Sequence, residues 1–165
     1  FNLTILGTSD IHDIIDWQYR IPSGGHRPVT LVFAREKNES SVKKALREGR
    51  TVVWFNKKLI GKNENLLPLI NNSLKVTSAK YIKNTSIVHM IISNNSDAPY
   101  TVRNQSEFDF YNQTNLITIP PHGDAVLDVR TLTKKRKFEL KFEILNALIE
   151  PDKHPLLRLI VRPEQ

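Results

Sequence analysis

The chain has 165 residues, 39% apolar and 25% charged, a globular mixture that argues against disorder and leaves room for one domain or one and a half. It contains no cysteine, which excludes disulfides, thiolate zinc centres and thiol nucleophiles. Its net charge of +7 is the one compositional outlier, and basic chains are drawn to phosphate polymers and anionic surfaces. The positive residues are scattered except at Lys134-Lys135-Arg136-Lys137. With no aromatic residues interleaved, that run reads as a turn kept soluble by charge, and no nucleic-acid partner is expected. No apolar run approaches the roughly 20 residues of a membrane helix, so no membrane span is expected.

In chain order, Leu3 to Leu6 reads as a first strand that begins at once, behind a Phe rather than an initiator Met and with no basic and apolar leader. The chain is therefore expected to be a C-terminal piece of a longer protein. The strand runs into Gly7-Thr8-Ser9-Asp10-Ile11-His12. Side chains at i and i+2 of a strand share a face, so Asp10 and His12 can reach one metal ion or two neighbouring ions. Carboxylate and imidazole suit zinc, manganese or iron. Two ligands do not complete a site, and no other ligand cluster follows. The plainer reading is a turn-capping Asp beside a packed or solvated His. Asp16 caps a helix or turn at Ile14-Ile15, and Trp17 reads as core or pocket wall.

Ile21 to Gly25 is a turn-rich loop that leads into His26, a structural residue or one on a loop that moves over a site. Val29 to Ala34 is almost wholly apolar, as a strand buried on both faces in a parallel sheet would be. Asn38 or Ser40 caps a helix whose stripe is Val42, Ala45 and Leu46, and Gly49 stops it. Arg50 reads as a surface arginine or an anion contact. Thr51 to Phe55 is a third strand, which gives a βαβ unit.

After Pro68 the character changes. Leu74–Thr77, Ile87–Ile92, Tyr100–Arg103, Asn115–Ile119, Ala125–Val129, Phe138–Leu145 and Leu156–Val161 read as strands separated by turn signals. Seven short strands at regular spacing indicate an antiparallel, immunoglobulin-like β-sandwich. His89 falls in an apolar run and reads as a core histidine, whereas His122 and His154 lie in proline-flanked turns and read as solvated. Tyr81, Tyr100, Phe108, Phe110 and Tyr111 are the candidates for an exposed aromatic row that would bind glycan. Asn-x-Ser/Thr triplets occur at Asn2, Asn38, Asn71, Asn84, Asn94, Asn104 and Asn112. In a chain this rich in Asn, Ser and Thr they carry little weight as glycosylation sites.

These residues carry a resemblance. Gly7 to His12 with Asp16-Trp17, then His26 to Ala34, then Ala45-Leu46-Arg47-Glu48-Gly49-Arg50-Thr51 through Phe55, together resemble the end of a PHP (polymerase and histidinol phosphatase) domain. The match is to bacterial PHP-like phosphodiesterases with a C-terminal sandwich. It is good over about the first 62 residues and general beyond them. It implies an α+β chain: residues 1–66 the end of a PHP-type (β/α)7 barrel, a βαβ remnant, and 67–165 an immunoglobulin-like accessory sandwich. It further implies a metal-dependent phosphoesterase in the full-length protein, with two or three divalent ions (manganese, zinc or iron) activating water against a phosphate-ester substrate. Asp10 and His12 match the family's last ligand motif, while the other ligands belong to the missing N-terminal part of the same barrel. This chain alone is then inactive, and no catalytic side chain beyond the metal ligands is assigned. Arg20, His26 and Arg27 are the candidate substrate-binding cations. The alternatives are a sandwich that binds glycan or a partner domain, or one that is structural and mediates dimerisation. Resembling proteins are often exported from bacterial cells, so an exported or periplasmic location is compatible and the compartment stays open.

Overall fold

The structure, a computed structural model, describes residues 3–111 and 113–164. The triplet asparagines Asn2 and Asn112 lie outside the described residues. In chain order the elements are α1 (Ile15–Tyr19), a 3-10 turn (Ile21–Ser23), β1 (Val29–Val32), α2 (Glu39–Arg47), β2 (Thr51–Phe55), β3 (Lys58–Gly61) and α3 (Asn63–Ser73). Then come β4 (Leu74–Tyr81), β5 (Ile87–Asn94), β6 (Tyr100–Asn104), β7 (Asp109–Phe110), β8 (Leu116–Ile119) and β9 (Asp124–Arg130). β10 (Phe138–Ile144), β11 (Ala147–Leu148) and β12 (Leu156–Val161) follow. The strands form three four-stranded sheets, ordered β1-β2-β3-β11, β12-β10-β6-β8 and β4-β5-β9-β7.

The chain divides into two compact units. The first runs to Leu66 and also takes in Ala147–Lys153, while the second holds the remainder. In the first unit, Asn38 caps α2 by accepting from the Ser41 N–H at 2.8 Å, as its position beside the apolar stripe predicts. Of that stripe Ala45 is fully buried, but Val42 stands exposed. Gly49 ends the helix at φ +68°, where a side chain would be strained.

Two expectations are corrected here. β1 and β2 pair antiparallel, Val29 opposite Trp54 and Val32 opposite Thr51, so the parallel βαβ unit is not formed. The cause is the short return: the Phe33 N–H donates to Arg50 C=O at 2.9 Å, so α2 brings the chain back to the end of β1 that it left. β1 is accordingly half-buried along its length rather than sealed on both faces. Residues 3–10 also form no regular strand. Their backbone is held by threonine side chains in place of a neighbouring ladder. Gly7 exchanges two hydrogen bonds with Thr30 Oγ1 (2.9 and 3.0 Å), and Thr51 Oγ1 donates to Ile5 C=O at 2.8 Å.

β2 and β3 form a hairpin through Asn56-Lys57, both left-handed (φ 48° and 63°), which is the twist a two-residue turn demands. β11 then adds in parallel to β3, with Ala147 opposite Leu59. α3 runs through Pro68, which removes one N–H from its ladder. Leu66 and Ile70, spaced i, i+4, are both fully buried, and Asn65 Nδ2 donates to the carbonyls of Gly49 and Thr51 at 2.8 and 3.2 Å.

In the second unit all seven strands expected from the sequence are present. β10 is the clearest: Phe138, Leu140, Phe142 and Ile144 are buried while Glu139, Lys141 and Glu143 face outward. β12 lies against it from Phe138↔Val161 to Glu143↔Leu156. Rings from the two sheets meet in the core, Phe110 of β7 against Phe142 of β10 at 6.3 Å between centroids. Along the outer face, Glu139 pairs with Arg158 at 2.8 Å and Glu143 with Arg103 at 3.2 Å. Pairs this exposed each contribute little to stability.

Asn94 ties two loops of the sandwich together. It is buried, donates to Ala98 C=O (2.8 Å) and Pro120 C=O (2.9 Å), and accepts from both the N–H and the hydroxyl of Ser96. An amide so engaged is closed to glycosylation, despite its triplet. Asn94→Ala is expected to lower stability by about 2–4 kcal/mol, since buried carbonyls would be left unmatched. Urea unfolding should show the midpoint falling with an unchanged slope.

Candidate functional site

Asp10 and His12 stand in the irregular segment between residue 3 and α1. His12 Nε2 lies 3.1 Å from Asp10 Oδ1, so the two side chains converge. Both are open to solvent, at 83% exposure for His12 and 96% for Asp10. Among the described residues no third His, Asp or Glu joins them, although Asp13 and Asp16 follow closely in sequence. The donor types fit a divalent ion, and the pair supplies two of the four or more positions such an ion takes. Among the described residues, then, the pair stands without a third candidate ligand.

The candidate cations lie in the segment after α1. Arg20 is left-handed (φ 50°) and its carbonyl accepts from the N–H groups of Ser23 and Gly25, which folds the loop back on itself. His26 stacks on Trp54, 4.2 Å between centroids, with its Nδ1 2.7 Å from Arg27 C=O. Phe55 meets the same imidazole edge-on, and Tyr19 meets Phe55 in turn. Arg20 and Arg27 are exposed. Among the described residues no hydrogen bond or ion pair joins Arg20, His26 or Arg27 to Asp10 or His12. Trp54 is the residue that sequence reasoning missed. Its place under His26 comes from antiparallel pairing with β1, which no local pattern announces. Trp17, read as core or wall, is instead 78% exposed.

Gly25 sets this loop. A Cβ there would sit 1.8 Å from Tyr19 C=O, so any side chain must push the loop away. In a Trp17→Phe background, Gly25→Ala is expected to uncover Trp54. Acrylamide quenching of its fluorescence should rise while the sandwich melts unchanged.

The remaining candidates resolve as follows. His89 is a surface residue: it faces outward on β5 and meets Asp128 of β9 at 2.7 Å. His122 is exposed and pairs with Asp97 at 2.7 Å. Arg50 reaches Glu48 at 3.0 Å. The five aromatic candidates form no exposed row, because Tyr100, Phe108 and Phe110 are buried and the Tyr81 hydroxyl is bonded to Lys135. Tyr111 alone of the five is exposed, under Arg130 at 5.2 Å. An open hollow of about 490 Å³ along α2, lined by Asn38, Glu39, Ser40, Lys43 and Arg47, contains none of the site candidates.

The sequence profile of DUF5001, a family of Ig-like domains, matches residues 74–160, more than half of the chain. The chain belongs to this Ig-like domain family. That match covers β4 through most of β12, the strands of the two sandwich sheets. No curated protein matches the chain. Among solved structures, the crystal structure of a two-domain protein from Bacteroides vulgatus ATCC 8482 is similar to it, with a TM-score of 0.84 and 27% identity. That protein contains a predicted PHP-like metal-dependent phosphoesterase. The likeness covers 97% of this chain and 46% of that one, so this Ig-like chain spans just under half the length of its solved relative.

Proposed function

We propose that this chain is the C-terminal portion of a PHP-type metal-dependent phosphoesterase, with its first unit the end of the barrel and its Ig-like sandwich an accessory domain. The observation that carries the reading is the 97% coverage at 27% identity by a protein holding a predicted PHP-like phosphoesterase, which extends the likeness through the first unit as well as the sandwich. The convergence of Asp10 and His12 supports it chemically. In that role the two side chains hold a corner of a divalent metal site, and the rest of the ligands come from the remainder of the barrel. The bound ions supply an acidified water and polarisation of the phosphoryl oxygens. Arg20 and Arg27 offer positive charge to an anionic phosphate ester, and His26, held against Trp54, walls the loop that presents them.

The test compares the full-length protein with this chain, using chromogenic phosphate mono- and diesters and manganese or zinc. Metal-dependent hydrolysis is expected from the full-length protein, with loss on chelation. No meaningful turnover is expected from residues 1–165 alone. Robust activity from the isolated chain would mean that the ligand set is complete within it, and would overturn the reading.

The alternative, a sandwich that binds glycan, loses its main support with the inward turn of Phe108 and Phe110. A purely structural or dimerising sandwich predicts that deleting it leaves turnover per folded barrel unchanged.

A further inference from the structure

We propose that one end of the sandwich, formed by the β4–β5 turn and the β9–β10 loop, docks on an anionic phospholipid bilayer. The two segments are joined: the N–H and hydroxyl of Thr131 both donate to Ser86 C=O, at 2.9 and 2.8 Å. The loop is braced from beneath by Tyr81, whose hydroxyl accepts from Lys135 N–H at 2.6 Å and donates to Lys135 C=O at 3.2 Å. Within it Leu132 is 82% exposed and left-handed at φ 61°. That conformation is unfavourable for a residue with a Cβ, and no other large apolar side chain described is as exposed. Ile82, on the β4–β5 turn, is 40% exposed.

The two segments carry Lys83, Arg130, Lys134, Lys135, Arg136 and Lys137 and no Asp or Glu of their own. The acidic neighbours come from beside them: Asp109 pairs opposite Arg130, and Glu107 and Glu139 line a hollow with Lys135 and Lys137, so six cations face three carboxylates. The ion pairs of the sandwich fall elsewhere among the described residues. Lys134 Nζ lies over the Tyr81 ring at 5.5 Å and Lys135 Nζ over Phe108 at 5.9 Å, cation–π contacts that hold both ammonium groups at this end of the sandwich. A single-stranded nucleic acid would call for open aromatic faces on which bases stack, and here the nearby rings are covered. A projecting leucine beside a run of cations that outnumber the nearby carboxylates instead matches the boundary between headgroups and acyl chains. Each Lys or Arg near an anionic leaflet strengthens binding about fivefold, whereas one leucine alone would not hold a protein there.

The test is co-sedimentation of the chain with vesicles of phosphatidylcholine alone, or of phosphatidylcholine and phosphatidylglycerol in equal parts, at about 0.1 M salt. Binding is expected only to the anionic vesicles, and should weaken at 0.5 M salt. The double substitution Lys134→Glu, Arg136→Glu should cut it by about tenfold or more. Leu132→Gly should cut it about fivefold; because glycine suits the left-handed backbone, that loss cannot come from misfolding, and a circular dichroism melt checks it. Absence of wild-type binding to the anionic vesicles would overturn the proposal. So would undiminished binding by Leu132→Gly together with equal affinity for a short RNA, which would mark a general polyanion site.

Discussion

In the full-length protein, Asp10→Ala and His12→Ala are each expected to lower bound divalent metal and to reduce phosphoesterase turnover by more than about 100-fold. Loss of a group that merely orients a metal ligand typically costs about 10–100-fold, and removal of a ligand itself should cost at least that. The sandwich should stay folded, because both side chains lie in the first unit and are almost fully exposed in this chain. That separation of effects is what gives the experiment its force. Metal content by elemental analysis, turnover and a thermal melt should be read on the same preparations. Retained metal and turnover in both variants would rule out the ligand assignment and leave Asp10 and His12 as a surface ion pair.

The largest effect on stability is expected at Phe142. It is 1% exposed at the centre of β10 and lies against Phe110 of the opposite sheet. Phe142→Ala removes the ring's transfer energy and opens a cavity that two hydrogen-bonded sheets cannot collapse into, for a loss of about 3–5 kcal/mol. A domain of this size is stable by about 5–15 kcal/mol, so the melting temperature should fall by roughly 15 °C or more. A drop of only a few degrees in calorimetry would show that the sandwich core is loosely packed around β10.

What the sequence makes legible follows from where the determining interactions lie. β10 is readable because alternation at period two records one buried and one wet face in consecutive residues, and β12 because it is a short apolar run after a turn signal. The Asn38 cap is readable because it acts within three residues. β3 is hidden because its turn, Asn56-Lys57, reaches the left-handed region without a glycine. α3 is hidden by Pro68, a helix breaker overridden by burial of Leu66 and Ile70. The direction of β2 is invisible locally, since strand–helix–strand spells parallel and antiparallel returns alike; here a Phe33–Arg50 hydrogen bond decides it. At the candidate site, Asp10 and His12 lie within 3.1 Å of each other, but in an irregular segment rather than on the strand that the i, i+2 spacing presupposes. The stacking of His26 on Trp54 could not be read, because it depends on that same strand direction.

Strand β11 bears on how the chain matures. β3 gains its second neighbouring strand only when Ala147 and Leu148 pair with Leu59 and Ile60, and those residues are made after most of the sandwich has already been synthesised. During translation the early sheet therefore waits with one margin unclosed, exposed to chaperones or to mispairing, until the chain loops back from between the sandwich's last two strands. A nonsense mutation anywhere before residue 147 would thus harm the portion made first as well as the portion made last.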